Sequence, residues 1–194
     1  PYPGQVAHTD AGLLIDGTLV PITRTPDITT VDLTGIDVLL ECTGKADTRD
    51  VAMRGLKAGA KRVLISGPSG AADLTVVLGA NDAELADQKI VSNASCTTNA
   101  LAPLVRLIDD TWGLATGWMT TLHCYTGRPP RIDAPRGEML RSRAAALSMV
   151  PSTTSAQART DLVLPELAGR IQGSAVRAPV ASVSAGPPWG GLYL

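Results

Sequence analysis

The feature that most constrains this chain is a pair of apolar, strand-length runs, Ile36–Glu41 (IDVLLE) and Lys61–Ser66 (KRVLIS), set one helix apart. Runs this short and nearly continuous in apolar residues suit buried strands of a parallel sheet. Between them Asp47–Ala58 has helical character, with Val51, Leu56 and Ala60 near one face and Gly59 as its stop. Strand, helix and strand at this spacing predict a βαβ unit with a right-handed crossover. Ligands of such open sheets sit beyond the carboxyl ends of the strands, which places Thr43, Gly44 and Ser66 at the edge of a cleft. The same three residues would also serve merely to turn the chain. Leu74–Leu78 and Ile90–Ser92 supply two further strands, with Ala83–Ala86 a short helical link between them.

The last of these strands runs into the chemically loaded stretch Ser92–Asn99, SNASCTTN. Ser95 is a candidate N-cap, after which Leu101, Leu104, Val105 and Ile108 recur at i, i+3, i+4 and i+7. Cys96 therefore lies on the first turn of a helix, where unpaired N–H groups and the positive end of the helix dipole favour an anion. That is a nucleophile's environment. The helix ends near Trp112-Gly113 and carries Pro103 inside it, where proline removes a donor and bends the axis. Ala115–Tyr125 follows as a strand, alternating Trp118, Thr120, Leu122 and Cys124 on one face with Met119, Thr121, His123 and Tyr125 on the other. A strand returning beside the helix can bring His123 to the helix start, and Cys with His is the minimal pair for activating a thiolate. Cys124, on the opposite face, is expected to be a buried small hydrophobe.

The other segments carry weaker signals. Pro1–Asp10 gives no clear element, and His8 reads as a solvated surface residue. Two β-rich runs around Asp16-Gly17 predict a hairpin over residues 12–24. Gly127–Arg143 is loop-like, with Arg128, Arg131, Arg136, Arg141 and Arg143 suited to phosphate or an acidic partner, or simply to solvent. Ala144–Met149 is a short helical run, Pro151–Thr154 a hydroxyl-rich turn, Asp161–Leu167 a brief helix around Pro165, and Ile171–Arg177 a strand. The tail from Ala185 has no periodic pattern and is expected to be mobile.

Bulk properties exclude several classes. With 194 residues, 44% hydrophobic composition and formal net charge −1, the chain can bury a sizeable core and implies no nucleic-acid partner. No apolar run approaches the roughly 20 residues that span a bilayer, and no secretory signal is recognisable, so no membrane partner is expected. Three cysteines, Cys42, Cys96 and Cys124, fit neither a disulfide framework nor a zinc site, and a reducing, cytoplasmic setting with no metal is the plain inference. The first residue is Pro, so the N-terminus reads as incomplete or processed.

SNASCTTN, then TTLHCYT, VPSTTS, VLPELAGRIQG and AVRAP, in this order and at these intervals, resemble the catalytic half of the glyceraldehyde-3-phosphate dehydrogenase family, from about residue 8 to residue 184. The resemblance implies an α/β fold: a partial Rossmann-type parallel sheet followed by part of an α+β catalytic domain. Residues 1–94 would be the remnant of a dinucleotide-binding domain without its Gly-rich first βαβ unit, and residues 95–194 a partial catalytic domain. It implies a phosphorylating oxidation of an aldehyde in which Cys96 forms a thioester, His123 acts as base, and inorganic phosphate releases an acyl phosphate. Ser95, Thr97 and Thr154 would line the site of the attacking phosphate. Thr126 and Arg177 would hold the phosphate of a small phosphorylated aldehyde. For the cofactor, NAD or NADP, the resemblance puts Arg24, which by itself reads rather as an isolated surface arginine, beside the adenine, and Thr43, Gly44 and Ser66 at the cleft. The arginine-rich loop would pack against a neighbouring subunit, implying a homo-oligomer. The sequence departs from the family at Arg128 and at Ser155, where a serine replaces glycine and would crowd a close backbone approach. No G-x-G-x-x-G occurs, so the chain is expected to be a fragment or truncated relative that binds NAD weakly. Two other readings stay open: a redox-inactive Cys–His acyl-transfer or thioester-hydrolysing protein of the same fold, and a non-catalytic relic.

Overall fold

The computed structural model of the chain describes residues 2–124, 149–152 and 154–180, and the backbone of 184–185. It begins with an antiparallel meander of β1 (Val6–Thr9), β2 (Gly12–Ile15) and β3 (Thr18–Pro21). The β2–β3 hairpin turns at Asp16 and Gly17, with φ of 46° and 83°, the successive positive angles that a tight two-residue turn requires. Strand β1 arises where no element was expected. Its residues VAHT lack apolar alternation and stay mostly exposed, so backbone pairing with β2 recruits it rather than side-chain burial.

The parallel sheet follows, in the order β4-β5-β7-β6, from β4 (Val38–Glu41), β5 (Arg62–Ile65), β6 (Leu74–Thr75) and β7 (Ile90–Ser92). The βαβ expectation holds, with two corrections. The crossover is two single-turn helices, α1 (Arg49–Ala52) and α2 (Arg54–Lys57), joined at Met53. They lie so close to the sheet that a Cβ at Gly55 would meet the side chains of Leu39 at 2.4 Å and Val63 at 2.8 Å. Strand β4 is not buried on both faces: it pairs only with β5, and Leu40 on its outward face is 62% exposed. Continuous apolarity marked the strand but could not tell an interior position from an edge. Strand β6 is also shorter than the Leu74–Leu78 run, and the link after it is a 3-10 turn over Asp82–Glu84.

The second half packs α3 (Cys96–Trp112) and α4 (Ala156–Val163) onto a mixed sheet. Its order is β11-β8-β10-β9, from β8 (Gly117–Cys124), β9 (Val150–Ser152), β10 (Ile171–Ala178) and β11 (Ser184–Ala185). Strands β8 and β10 run parallel over their full length, so their carboxyl ends finish side by side. Leu101, Ala102, Val105 and Ile108 of α3 join Leu114, Met119, Val163, Leu164, Leu167 and Ile171 in one core. Val77 and Ala94 belong to the same cluster and tie the end of the parallel sheet to α3. Pro103 sits inside α3 without ending it.

Three expectations fail here. Pro151 and Ser152 form an edge strand instead of a turn, and proline is tolerated because β9 pairs on one side only. Helix α4 begins earlier than Asp161 and stops before Pro165, which opens a separate 3-10 turn; its buried positions Ala156, Thr160 and Val163 give too weak an apolar stripe to read in advance. Cys124 is half-exposed, because the β8 face bearing Trp118 and Leu122 is turned away from the helices. Thr126, Thr153, the arginine-rich loop, the run before Met149 and the tail from residue 186 lie outside the described residues.

Candidate active site

A cavity of about 380 Å³ opens where the N-termini of α3 and α4 meet the carboxyl ends of β8 and β10. Ser95, Cys96, Thr97, His123, Thr154 and Arg177 all line it, together with Cys124, Ser152, Ser155 and Ala175. The structure thus brings together six sequence-expected residues drawn from α3, β8, β10 and the residues that lead into α3 and α4. No carboxylate lines the cavity among the described residues.

The turn that carries Cys96 is built by its cap. Ser95 has extended backbone angles, and its Oγ accepts the N–H of Thr98 at 3.2 Å and lies 2.8 Å from the Thr98 hydroxyl. Asn99 closes the turn from the other side, its Nδ2 donating to the carbonyls of Asn93 and Ser95. The N–H groups of Cys96 and Thr97, in the first turn, have no acceptor within the helix and are available to an oxyanion. Cys96 itself is exposed.

His123 reaches this turn through hydroxyls. Thr97 Oγ1 lies 4.0 Å from Cys96 Sγ and 3.2 Å from His123 Nε2, so it stands beside both members of the expected pair. Thr121 Oγ1 lies 2.9 Å from the same Nε2. Thr121 shares the His123 face of β8, and the i, i+2 spacing along the strand is the sequence signal for this contact, one that the pairing of Cys96 with His123 does not use. Burial first, and the positive charge of Arg177 second, hold the His123 imidazole below its usual range. Its neutral form, the one able to accept a proton, is favoured.

Arg177 stands opposite His123 in the β8–β10 register, and its Nη1 donates to the carbonyl of Cys124 at 3.0 Å. The guanidinium keeps further donors for a ligand. Thr154 Oγ1 accepts the N–H of Ala156 at 3.1 Å, which fixes the hydroxyl at the start of α4. Ser155 has φ −92°, a conformation open to any residue, so serine does not strain the backbone here. Two helix N-termini, several hydroxyls and one guanidinium border the cavity, groups whose chemistry suits an oxyanion.

The cofactor residues expected from the sequence are less well gathered. Thr43, Gly44 and Ser66 sit at the adjacent ends of β4 and β5, where Ser66 N–H donates to the Glu41 carbonyl at 3.0 Å. The Thr43 N–H and hydroxyl both engage Glu41 Oε1. Arg24 is exposed on the segment after β3 and shares none of these contacts. The helix that follows β4 has only four residues and no side-chain cap at Thr48. The described residues therefore gather Thr43, Gly44 and Ser66 at one end of the sheet, without Arg24, and do not fit a whole dinucleotide.

Among the described residues no group of His, Cys, Asp and Glu could hold a metal ion, and no helix is long and apolar enough to cross a membrane.

Comparison with known proteins gives a consistent match. A family model described as the glyceraldehyde 3-phosphate dehydrogenase C-terminal domain matches residues 95–186. A glyceraldehyde-3-phosphate dehydrogenase of Xanthobacter flavus is 46% identical over 188 residues, covering 94% of this chain and 56% of that protein. Proteins of the same name from Cereibacter sphaeroides and Pseudomonas aeruginosa are each 43% identical, over 94% of this chain and 55% and 56% of their own lengths. The chain spans about half the length of the curated relatives it matches.

Proposed function

The chain belongs to the glyceraldehyde-3-phosphate dehydrogenase family, and on that premise we infer that it carries the acyl-transfer machinery of a phosphorylating aldehyde oxidoreductase. Residues 95–194 act as the catalytic part and residues 1–94 as part of a dinucleotide-binding domain. The observation that carries this reading is the single cavity in which Cys96, His123, Thr154 and Arg177 converge with no carboxylate among the described lining residues.

The chemistry follows from the groups present. The Cys96 sulfur attacks the carbonyl carbon of an aldehyde, and the N–H groups of the first turn of α3 stabilise the oxyanion. His123, kept neutral, takes the thiol proton at Nε2. Oxidation of the adduct to a thioester requires a hydride acceptor, NAD or NADP in a family of this name. The described residues do not fit a whole dinucleotide. Inorganic phosphate, held by Ser95, Thr97 and Thr154, then attacks the thioester carbon, and Cys96 leaves as thiolate to give an acyl phosphate. Arg177 and Thr126 hold the phosphate of a phosphorylated aldehyde, and a homo-oligomer completes the assembly.

The second half of this sequence is testable without redox chemistry. An activated ester such as p-nitrophenyl acetate should acylate Cys96, and inorganic phosphate should release the acyl group as acetyl phosphate faster than water does. Mass spectrometry locates the acyl group, and Cys96→Ser should abolish it. Acylation elsewhere on the chain, or deacylation indifferent to phosphate, refutes the reading.

A further inference from the structure

Thr121 is 2% exposed, and its position on β8 is one where only packing would ordinarily matter. It faces the core between Met119 and His123, opposite Ala175 of β10. A valine would fill that place with the same shape and no polar atom. A buried hydroxyl is costly to desolvate unless it is bonded, so a threonine there needs a partner. Among the described residues that partner is the imidazole of His123, at 2.9 Å from Nε2.

Thr97 approaches the same nitrogen at 3.2 Å from the first turn of α3. Nε2 is therefore held from two sides, by a rigid strand residue below and by a helix residue adjoining Cys96. We propose that Thr121 is a positioning residue that keeps His123 Nε2 aimed at the Cys96 turn. The role rests on the Cys96–His123 reading above and extends it to a residue which that reading does not contain.

The hydroxyl suits both states of the base. Toward neutral imidazole with its proton on Nδ1, Thr121 donates its hydrogen to the Nε2 lone pair. When the thiol S–H breaks and its proton passes to Nε2, the hydroxyl rotates and accepts the new N–H. The ring keeps its orientation through the transfer, and no charge is added beside it. A β-branched residue on a central strand has few rotamers, so the oxygen is placed with little entropic loss.

The experiment compares Thr121→Val, Thr121→Ser and His123→Asn in the 194-residue chain. Nitrogen-15 imidazole shifts report tautomer and protonation, and the only other histidine is His8. Iodoacetamide alkylation of Cys96, followed across pH by peptide mapping, reports on the base. Thr121→Val should shift the His123 tautomer balance and slow alkylation about two- to tenfold, the worth of one hydrogen bond. Thr121→Ser, which keeps the hydroxyl and loses a methyl, should restore both. Unchanged imidazole shifts and rate in Thr121→Val overturn the proposal, and so does a Thr121→Ser that behaves like Thr121→Val. If His123→Asn slows alkylation while Thr121→Val does not, the Cys96–His123 reading survives and the positioning role falls. If His123→Asn changes nothing, both fall together.

Discussion

Replacing Ser95 by alanine tests how the turn that carries Cys96 is built. The Ser95 Oγ accepts the Thr98 N–H at 3.2 Å and stands 2.8 Å from the Thr98 hydroxyl. Loss of an N-cap costs about 1 kcal/mol. The larger cost lies with Thr98, which is fully buried and would keep a hydroxyl without a partner. An orphaned buried hydroxyl adds about 1–3 kcal/mol, less whatever relaxation recovers, so Ser95→Ala should lose about 2–3 kcal/mol in all. Urea unfolding followed by tryptophan fluorescence measures this as a midpoint shift of about 1 M or more. The double variant Ser95→Ala/Thr98→Val removes the orphaned group together with the cap. It should be less destabilised than Ser95→Ala alone, by about 1 kcal/mol, a non-additivity expected of groups in direct contact. A double variant as unstable as the sum of the two singles would show that the Thr98 hydroxyl does not depend on Ser95, and the capping argument would fail.

Cys96 should be the first thiol labelled by limiting iodoacetamide at neutral pH, although Cys42 is also exposed, because it alone joins a helix N-terminus to a nearby imidazole; peptide mapping that finds Cys42 or Cys124 labelled first contradicts this. Arg177→Gln removes the positive charge that helps keep His123 neutral, so the acid limb of the Cys96 alkylation profile should move to higher pH, and a limb that moves down or stays still counts against the electrostatic account. The linkage has a definite sign: with its folded value below the 6.5 of free histidine, His123 contributes stability that is present above about pH 6.5 and lost as pH falls through the folded value. His123→Gln should flatten the stability profile in that window, as read by urea midpoints at several pH values. Titration of the 194-residue chain with NAD should show at most weak binding, since a pyrophosphate site needs a glycine turn at a helix N-terminus and no G-x-G-x-x-G is present; calorimetry giving low-micromolar affinity would refute that.

Much of this protein is legible in its sequence because its strongest signals are local. A serine followed by a 3.6-residue apolar stripe specifies α3 and its cap, and so puts Cys96 on the first turn. Period-two alternation separates the His123 face of β8 from the Cys124 face, and two consecutive positive φ angles demand a turn such as Asp16-Gly17. Each of these depends on a few neighbouring residues and on backbone geometry alone. Other features depend on which strands find one another across long stretches of chain. That β4 is an edge, that Pro151 and Ser152 pair with β10, and that the Cys124 face is turned outward are properties of sheet order, to which side-chain pattern is nearly blind. The same holds at the site. Only the parallel register of β8 and β10 sets Arg177 opposite His123, and only the packing of α3 on that sheet brings Thr97 to the imidazole nitrogen that Thr121 approaches from within β8. A one-residue slip of β10 would turn Arg177 to the other face. Local periodicity determined which groups could be reactive; register and packing decided which of them meet.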